Sequence, residues 1–284
     1  MFDKPERSLT VAGSIDEALA ACRQGAAILA GGTWLMRDPR RGRPIADALV
    51  TLHKIPGFTD VRIGSDSISV GAAVTHEALG RLLIDTAGFE AIVAAAMGAA
   101  NPAIRRVATV GGNLCTQDFA AADLLPALLA AGAIVELQGS EGPLLLPIGT
   151  FLKDRKTLLG DTILSRVILD RTIAASAHAR LPLRKAGDYP VAIVSMAVDT
   201  NGRMSVAVGS VENVARRWNS LENAFAARPG GRPASAEEAA ELAGDCNDFH
   251  GRDGTEANGW YRRQVMPALV RRSMAALFTA GVAA

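Results

Sequence analysis

The chain has 284 residues, of which 49% are hydrophobic and 21% are charged. This length and composition suit a globular protein of one to three compact units with a sizeable core. Lys and Arg together number 30 and Asp and Glu 29, so no strong overall charge favours nucleic acid or an anionic membrane as a partner. We therefore expect partners to be recognised through local sites.

The three cysteines, Cys22, Cys115 and Cys246, are odd in number and widely separated. This pattern argues against a disulfide framework, a structural zinc site and a self-contained iron–sulfur cluster, so we expect no metal on this chain. The N-terminus shows no apolar signal segment, and no apolar run approaches the roughly 18 to 20 residues that span a bilayer. These features predict a cytoplasmic protein.

The N-terminal segment predicts a small α/β unit. Ser14 is the predicted N-cap of a helix that ends at Arg23, because apolar residues recur there at helical spacing. Apolar strands are predicted at 26–30 and 48–52. The glycine pair Gly31-Gly32 comes directly after the first of these strands.

The middle of the chain alternates between short strands and helices. We predict a hairpin at 61–63 and 67–70, a helix capped by Thr75, a helix at 91–100, an apolar helix at 123–131 and a strand at 134–137. Residues 149–169 are predicted to hold a loop and a strand. Residues 171–180 are expected to cross into a new unit, with the boundary near 175.

Beyond this boundary, strands at 191–198 and 204–208 flank Asn201-Gly202, a dipeptide that favours tight hairpin turns. Helices are predicted at 219–227, 235–244 and 260–278, and Pro267 predicts a kink or a break in the last one. The pairs Arg262-Arg263 and Arg271-Arg272 on this helix fit either a solvated face or an inter-subunit contact.

Several common chemical motifs are missing from the sequence. There is no G-x-x-x-x-G-K-[ST], no G-x-G-x-x-G after a strand and no G-x-S-x-G, and the four histidines are scattered. What remains is two glycine pairs, Gly31-Gly32 and Gly111-Gly112, beside Thr33 and Thr109. Adjacent glycines let several backbone N–H groups face a diphosphate without interference from side chains. One such pair is typical of an ordinary turn, whereas two together predict a phosphate cradle.

Three segments carry a family resemblance: ILAGGT at 28–33, ATVGGNL at 108–114 and AADLLPAL at 121–128. In this order and separation they resemble the FAD-binding medium subunit of molybdenum hydroxylases, the family of carbon monoxide dehydrogenase and xanthine dehydrogenase. Further similar segments are RKTLL at 155–159, RKAGDY at 184–189 and WYRR at 260–263. The resemblance extends over nearly the whole chain.

The resemblance implies an α+β fold and one non-covalently held FAD per chain. A PCMH-type FAD-binding domain is expected at residues 1–175, with α/β subdomains at about 1–57 and 58–175. A C-terminal domain of antiparallel strands and helices is expected at residues 176–284.

The cofactor contacts that the resemblance implies fall into two groups. The residues expected to wrap the pyrophosphate are Ile28, Leu29, Ala30, Gly31, Gly32, Thr33, Trp34, Leu35, Thr109, Val110, Gly111, Gly112 and Asn113. Asp123 is expected at a ribose or adenine-side hydroxyl, and the backbone of Ile163 and Leu164 at the adenine or flavin edge. The residues expected to face the isoalloxazine are Lys185, Asp188 and Tyr189.

The implied function is electron transfer with no catalytic side chain on this subunit. Partners would be a large molybdenum-binding subunit with the molybdenum cofactor and a small subunit with [2Fe-2S] clusters, assembled as a dimer of heterotrimers. A second hypothesis is a stand-alone PCMH-type flavin oxidoreductase, for which Glu77 and Asp118 are the nearby acidic candidates. A third is a non-catalytic binding protein that has lost the cofactor.

Three positions are left open by the sequence. Asp118 and Phe119 stand where many relatives carry Ser-Pro, so the carboxylate could lie near the cofactor or point to solvent. Trp34 could pack on the cofactor or fill the gap between subdomains. Cys115 could lie near the flavin or act as a small buried hydrophobe.

Overall fold

The computed structural model of the chain describes residues 7–185 and 188–281. Ala186 and Gly187, which belong to the family-like segment 184–189, lie outside the described residues. Within these ranges, no helix combines the length and the apolar character needed to cross a bilayer.

The first elements form a small parallel sheet with strand order β1-β3-β2. Its strands are β1 (Ser8–Val11), β2 (Ala27–Ile28) and β3 (Ala48–Thr51), and α1 (Ile15–Arg23) connects the first two. Ser14 caps α1 as predicted, because its hydroxyl accepts a hydrogen bond from the backbone N–H of Glu17. The chain leaves β2 through Gly31-Gly32 and enters a 3-10 helix at Leu35–Arg41.

The second sheet has five antiparallel strands in the order β4-β5-β8-β6-β7. These strands are β4 (Val61–Ile63), β5 (Ser67–Gly71), β6 (Ile134–Gly139), β7 (Gly142–Pro147) and β8 (Ile163–Asp170). The helices of this part are α2 (His76–Leu83), α3 (Glu90–Gly98), α4 (Pro102–Arg105), α5 (Val110–Cys115), α6 (Leu124–Ala130) and α7 (Ile148–Leu158). The region thus pairs an antiparallel sheet with helices.

The helix α7 corrects the prediction of a loop after residue 149. Its buried residues are Ile148, Phe151, Leu152 and Arg155, which recur at helical spacing. The charged residues between them hid this apolar stripe from the sequence pattern.

The third sheet is antiparallel, with strand order β12-β11-β10-β9. Its strands are β9 (Ile173–Pro182), β10 (Pro190–Asp199), β11 (Met204–Gly209) and β12 (Arg216–Arg217). The helices that accompany it are α8 (Asn219–Ala226), α9 (Ala236–Asp245), α10 (Gly259–Gln264) and α11 (Met266–Thr279). Residues 171–180, predicted as a crossing, mostly form β9 instead. The predicted break at Pro267 is confirmed, since α10 ends at Gln264 and Pro267 lies in the first turn of α11.

Arg262 corrects the interpretation of the C-terminal basic pairs as a solvated or inter-subunit face. Its side chain is fully buried, and its guanidinium donates to the backbone carbonyls of Val191, Ser210 and Arg252 and to the carboxylate of Glu256. Arg263 next to it is exposed. Arg262 therefore ties α10 to the third sheet.

Strand β9 separates two hydrophobic cores. Ala175, Ala177 and Ala179 face the core of the third sheet. Because side chains alternate along a strand, Ser176, His178 and Arg180 point the other way, toward the helices of the second sheet. We call these three residues the β9 polar face.

The observed architecture confirms the predicted α+β class.

Candidate functional site

A cavity of about 930 Å³ lies between the two glycine-rich loops. This volume is near the upper end of the range of ligand pockets, roughly 300 to 1,000 Å³. Of the residues expected at the cofactor, all but Val110 and Lys185 are among the described residues that line it. Val110 is buried in the core, and Lys185 is exposed at the surface. The predicted role of these two residues stays a prediction.

The two glycine-rich loops touch each other through glycine backbone. A Cβ atom on Gly31 would lie 2.0 Å from the carbonyl oxygen of Val107, and one on Gly111 would lie 2.8 Å from that of Ala72. Gly32 adopts a φ of 69°, a backbone conformation that residues with a side chain rarely adopt. Glycine is thus required at position 31 for the close approach of the two loops, and at position 111 for the packing of the second loop on Ala72, in addition to any contact with a ligand.

Three helices begin at the cavity wall. Thr75 caps α2, Asn101 caps α4 and Thr109 caps α5, each by accepting a backbone N–H with its side-chain oxygen. All three capping residues line the cavity. The partial positive charge at helix N-termini favours anionic groups, so the wall suits a phosphate-bearing ligand.

Four buried polar atoms at the cavity have no protein partner. Within residues 7–185 and 188–281, no group forms a hydrogen bond with Thr51 Oγ1, His76 Nε2, Arg105 Nε or Asn113 Oδ1. All four residues line the cavity, and burial lowers the pKa of His76 to about 4, so its ring is neutral. Buried polar groups are nearly always hydrogen-bonded in native proteins. These donors and acceptors match a ligand that is itself rich in polar groups.

Asp123 is the buried acid of the site. Burial raises its pKa to about 6, and the nearby Arg180 opposes this rise. Arg180 Nε donates to Asp123 Oδ1 over 2.8 Å, and its terminal nitrogen donates to the backbone carbonyl of Asp188. Sequence reasoning missed Arg180, which lines the same cavity. A buried carboxylate is expected to pair with a cation, but the sequence does not say which one, because Arg180 lies 57 residues from Asp123 in the chain.

One end of the cavity is aromatic. The ring centroids of Trp34 and Phe119 lie 4.5 Å apart, and Tyr189 lies 5.5 Å from Phe119 and 6.5 Å from Trp34. Arg41 stacks 3.9 Å above the Trp34 ring, and Arg37 donates to the Tyr189 hydroxyl. Trp34 therefore both lines the cavity and packs on another aromatic ring. Phe119 is a lining residue that sequence reasoning did not assign.

The acidic candidates of the stand-alone hypothesis lie elsewhere. The side chain of Asp118 is 64% exposed and pairs with Arg43. Glu77 pairs with Arg81 over 2.7 Å and with Arg106 over 3.5 Å. Neither acid is among the described residues that line the cavity.

Cys115 lines the cavity as a protonated thiol, because burial raises its pKa to about 12. Among the residues that the structure describes, no group of three or more His, Cys, Asp or Glu side chains is arranged to hold a metal ion.

Comparison with known proteins places the chain in a family. Residues 5–171 match the model of the FAD binding domain in molybdopterin dehydrogenase. The 6-hydroxypseudooxynicotine dehydrogenase complex subunit alpha of Paenarthrobacter nicotinovorans is 30% identical over 220 residues, which cover 72% of this chain and 71% of that protein. Three FAD-binding subunits of nicotinate and xanthine dehydrogenases are matched over 52% to 66% of their own lengths.

Solved structures show the same fold at lower sequence identity. Quinoline 2-oxidoreductase from Pseudomonas putida 86 superposes with a TM-score of 0.83 and 22% identity, covering 99% of both chains. Carbon monoxide dehydrogenase from Hydrogenophaga pseudoflava gives a TM-score of 0.81 and 21% identity, covering 97% of this chain and 98% of the other. The chain belongs to the family of FAD-binding domains of molybdopterin dehydrogenases and is an oxidoreductase flavin subunit.

Proposed function

We propose that the cavity between the two glycine-rich loops holds FAD and that the chain transfers electrons from iron–sulfur clusters on a partner subunit to an external acceptor. The observation that carries the proposal is the set of unpartnered buried polar atoms of Thr51, His76, Arg105 and Asn113 at one cavity. The ribityl and ribose hydroxyls and the phosphates of FAD supply groups that could satisfy them. The residues present therefore fit the cofactor.

Different residues of the cavity would bind different parts of FAD. Backbone N–H groups around Gly31-Gly32 would hold the pyrophosphate, beside the N-termini of α2, α4 and α5. The N–H groups of Gly111 and Gly112 already donate to the Ala72 carbonyl and to Thr109 Oγ1, so these two glycines would instead let the second loop approach the ligand closely. Asp123, fixed by Arg180, would accept a hydrogen bond from a sugar hydroxyl. Ile163 and Leu164, both buried, would line the adenine or flavin edge.

The aromatic end would receive the flavin ring. When bound, FAD supplies redox chemistry that accepts and releases electrons either singly or in pairs. Trp34, Phe119 and Tyr189 would exclude water from one side of the ring, and Arg37 would hold Tyr189 in place. These three aromatic residues are only partly buried, so a ring held there could exchange electrons with a molecule outside the chain.

The assembly is part of the same proposal. We infer a large subunit with the molybdenum cofactor and a small subunit with [2Fe-2S] clusters, arranged as a dimer of heterotrimers in the cytoplasm. The P. nicotinovorans relative is a subunit of a dehydrogenase complex, which supports this inference.

The experiment has two parts. The purified full chain should bind one FAD, identified by chromatography of the flavin released on denaturation; a chain that takes up no FAD overturns the binding proposal. The same chain, tagged and purified from its native cells, should bring two further subunits that contain molybdenum and iron. Recovery of the chain by itself, with bound FAD, would instead favour the stand-alone oxidoreductase.

A further inference from the structure

The β9 polar face contains a buried histidine beneath the cavity. The side chain of His178 is 2% exposed, and its Nδ1 lies 2.8 Å from Ser195 Oγ. Ser195 is fully buried and sits directly opposite His178 in the β9–β10 register. The two residues therefore form a fixed pair inside the C-terminal sheet.

The other ring nitrogen faces the acid of the site. His178 Nε2 is buried without a hydrogen bond to any described residue, and Asp123 Oδ1 lies 4.0 Å from it. Burial, reinforced by Arg180, lowers the pKa of His178 to about 3, so the ring is neutral and carries one proton. When the Ser195 hydroxyl donates to Nδ1, that proton is on Nε2 and points toward the carboxylate.

We propose that His178 is a positioning residue for Asp123, through which the C-terminal sheet shapes the FAD site. With FAD bound, the His178 Nε2–H donates to Asp123 Oδ1, the oxygen that Arg180 Nε already holds, and Oδ2 is left to face the ligand. This inference rests on the proposed function, in which FAD occupies the cavity.

The pair should be visible in the pH dependence of FAD binding. Within the described part of the chain, the charged or titratable side chains in contact with Asp123 are Arg180 and His178 from β9. Asp188 contacts Arg180 through its backbone carbonyl, and its carboxylate lies 4.0 Å from Arg184. A neutral donor stabilises the ionised form of a carboxyl group. Loss of the imidazole removes this stabilisation from the FAD-bound state, so it is expected to weaken FAD binding most where Asp123 is ionised and least where its carboxyl group is protonated.

The test is an FAD titration of the full apoprotein from about pH 5 to pH 8, which spans the ordinary range of carboxyl and imidazole titration. For H178L we expect binding about tenfold weaker at pH 7, from the loss of one hydrogen bond to a charged group, and a difference from the wild type that shrinks along the acid limb, where binding weakens as Asp123 becomes protonated. H178Q, which keeps an N–H donor, should restore the wild-type limb, and D123N should abolish it.

Ser176→Ala is the matched control. Ser176 lies on the same polar face but contacts Glu90, so the acid limb of this variant should stay unchanged. An H178L limb that coincides with the wild type, or one lowered equally at every pH, overturns the inference. If H178L does not fold by circular dichroism, S195A decides, with a smaller loss of FAD affinity at pH 7 expected and an affinity profile identical to the wild type contradicting the inference. A wild-type chain that binds no FAD would instead remove the proposed function, and the inference with it.

Discussion

Replacing Gly31 by alanine tests whether the two glycine-rich loops form one site. The new Cβ would lie 2.0 Å from the Val107 carbonyl oxygen and 2.7 Å from its carbon, whereas ordinary contacts start at 3.4 Å. Both clashing atoms are backbone, so the loops must separate by roughly 1 Å or more. Overpacking of this kind costs about 1 to 3 kcal/mol.

The substitution should also weaken FAD binding. A shift of this size would break at least one loop N–H bond to a phosphate, and hydrogen bonds to charged groups contribute about 1.5 to 3 kcal/mol. We therefore expect FAD to bind G31A about 10- to 100-fold more weakly, measured by flavin fluorescence titration. Thermal melts with and without FAD should show a smaller ligand-induced rise in Tm.

Gly244→Ala is the control for the general effect of a glycine substitution. Gly244 lies in α9 with open space around it, so alanine should leave FAD affinity unchanged and stabilise the helix by about 0.5 to 1 kcal/mol. A G31A variant that binds FAD as tightly as the wild type would refute the reasoning from loop contact.

Three further predictions concern stability and the open positions. Arg262→Met should cost about 3 to 5 kcal/mol in urea unfolding, because it removes the buried donor to the carbonyls of Val191 and Ser210 and one of the two arginines that pair with Glu256. Arg263→Ala should change stability by less than about 0.5 kcal/mol, and equal effects would contradict the burial of Arg262. Because the pKa of His76 is lowered to about 4, its neutral burial stabilises the fold above about pH 6.5, and this stability is lost as the pH falls toward 4. His76→Phe should reduce the slope of that part of the stability profile, to which the buried His178, with a pKa lowered to about 3, also contributes; an unchanged slope would exclude His76 as a source. Asp118→Asn should leave FAD affinity unchanged, since its side chain is 64% exposed and pairs at the surface, so weaker binding would place it at the cofactor after all.

Local features of the fold were predictable where the signal lies within a few residues. The N-caps at Ser14 and Thr75 and the break before Pro267 follow from side-chain hydrogen bonding and from the fixed proline ring, and the structure confirms them. The helix α7 was missed because charged residues interrupt its apolar stripe. The alternation of apolar and polar residues in β9 is typical of a strand, but its apolar positions are mostly alanine, which is depleted in strands, so the sequence signal was weak.

The partners of the site residues were not predictable from the sequence. Asp123 carries no local sign that its cation is Arg180, or that His178 lies 4.0 Å from it. The burial of Arg262 was not predictable from the sequence either, because the adjacent Arg263 is the same type of residue and yet is exposed. Such pairings depend on strand register and on helix packing, which join distant parts of the chain.

The sequence by itself determined that two glycine-rich loops exist, that they follow apolar segments and that they resemble the FAD-binding family. These features are visible in the sequence because the conformational freedom of glycine is a property of each single residue. Only the tertiary structure decided that Gly31 packs on Val107 and Gly111 on Ala72, and that Arg180 and His178 of β9 lie beside Asp123. The physical reason is that the conformation of a glycine depends on its own residue, whereas the atoms that pack against that glycine come from distant parts of the chain and are brought there by tertiary packing.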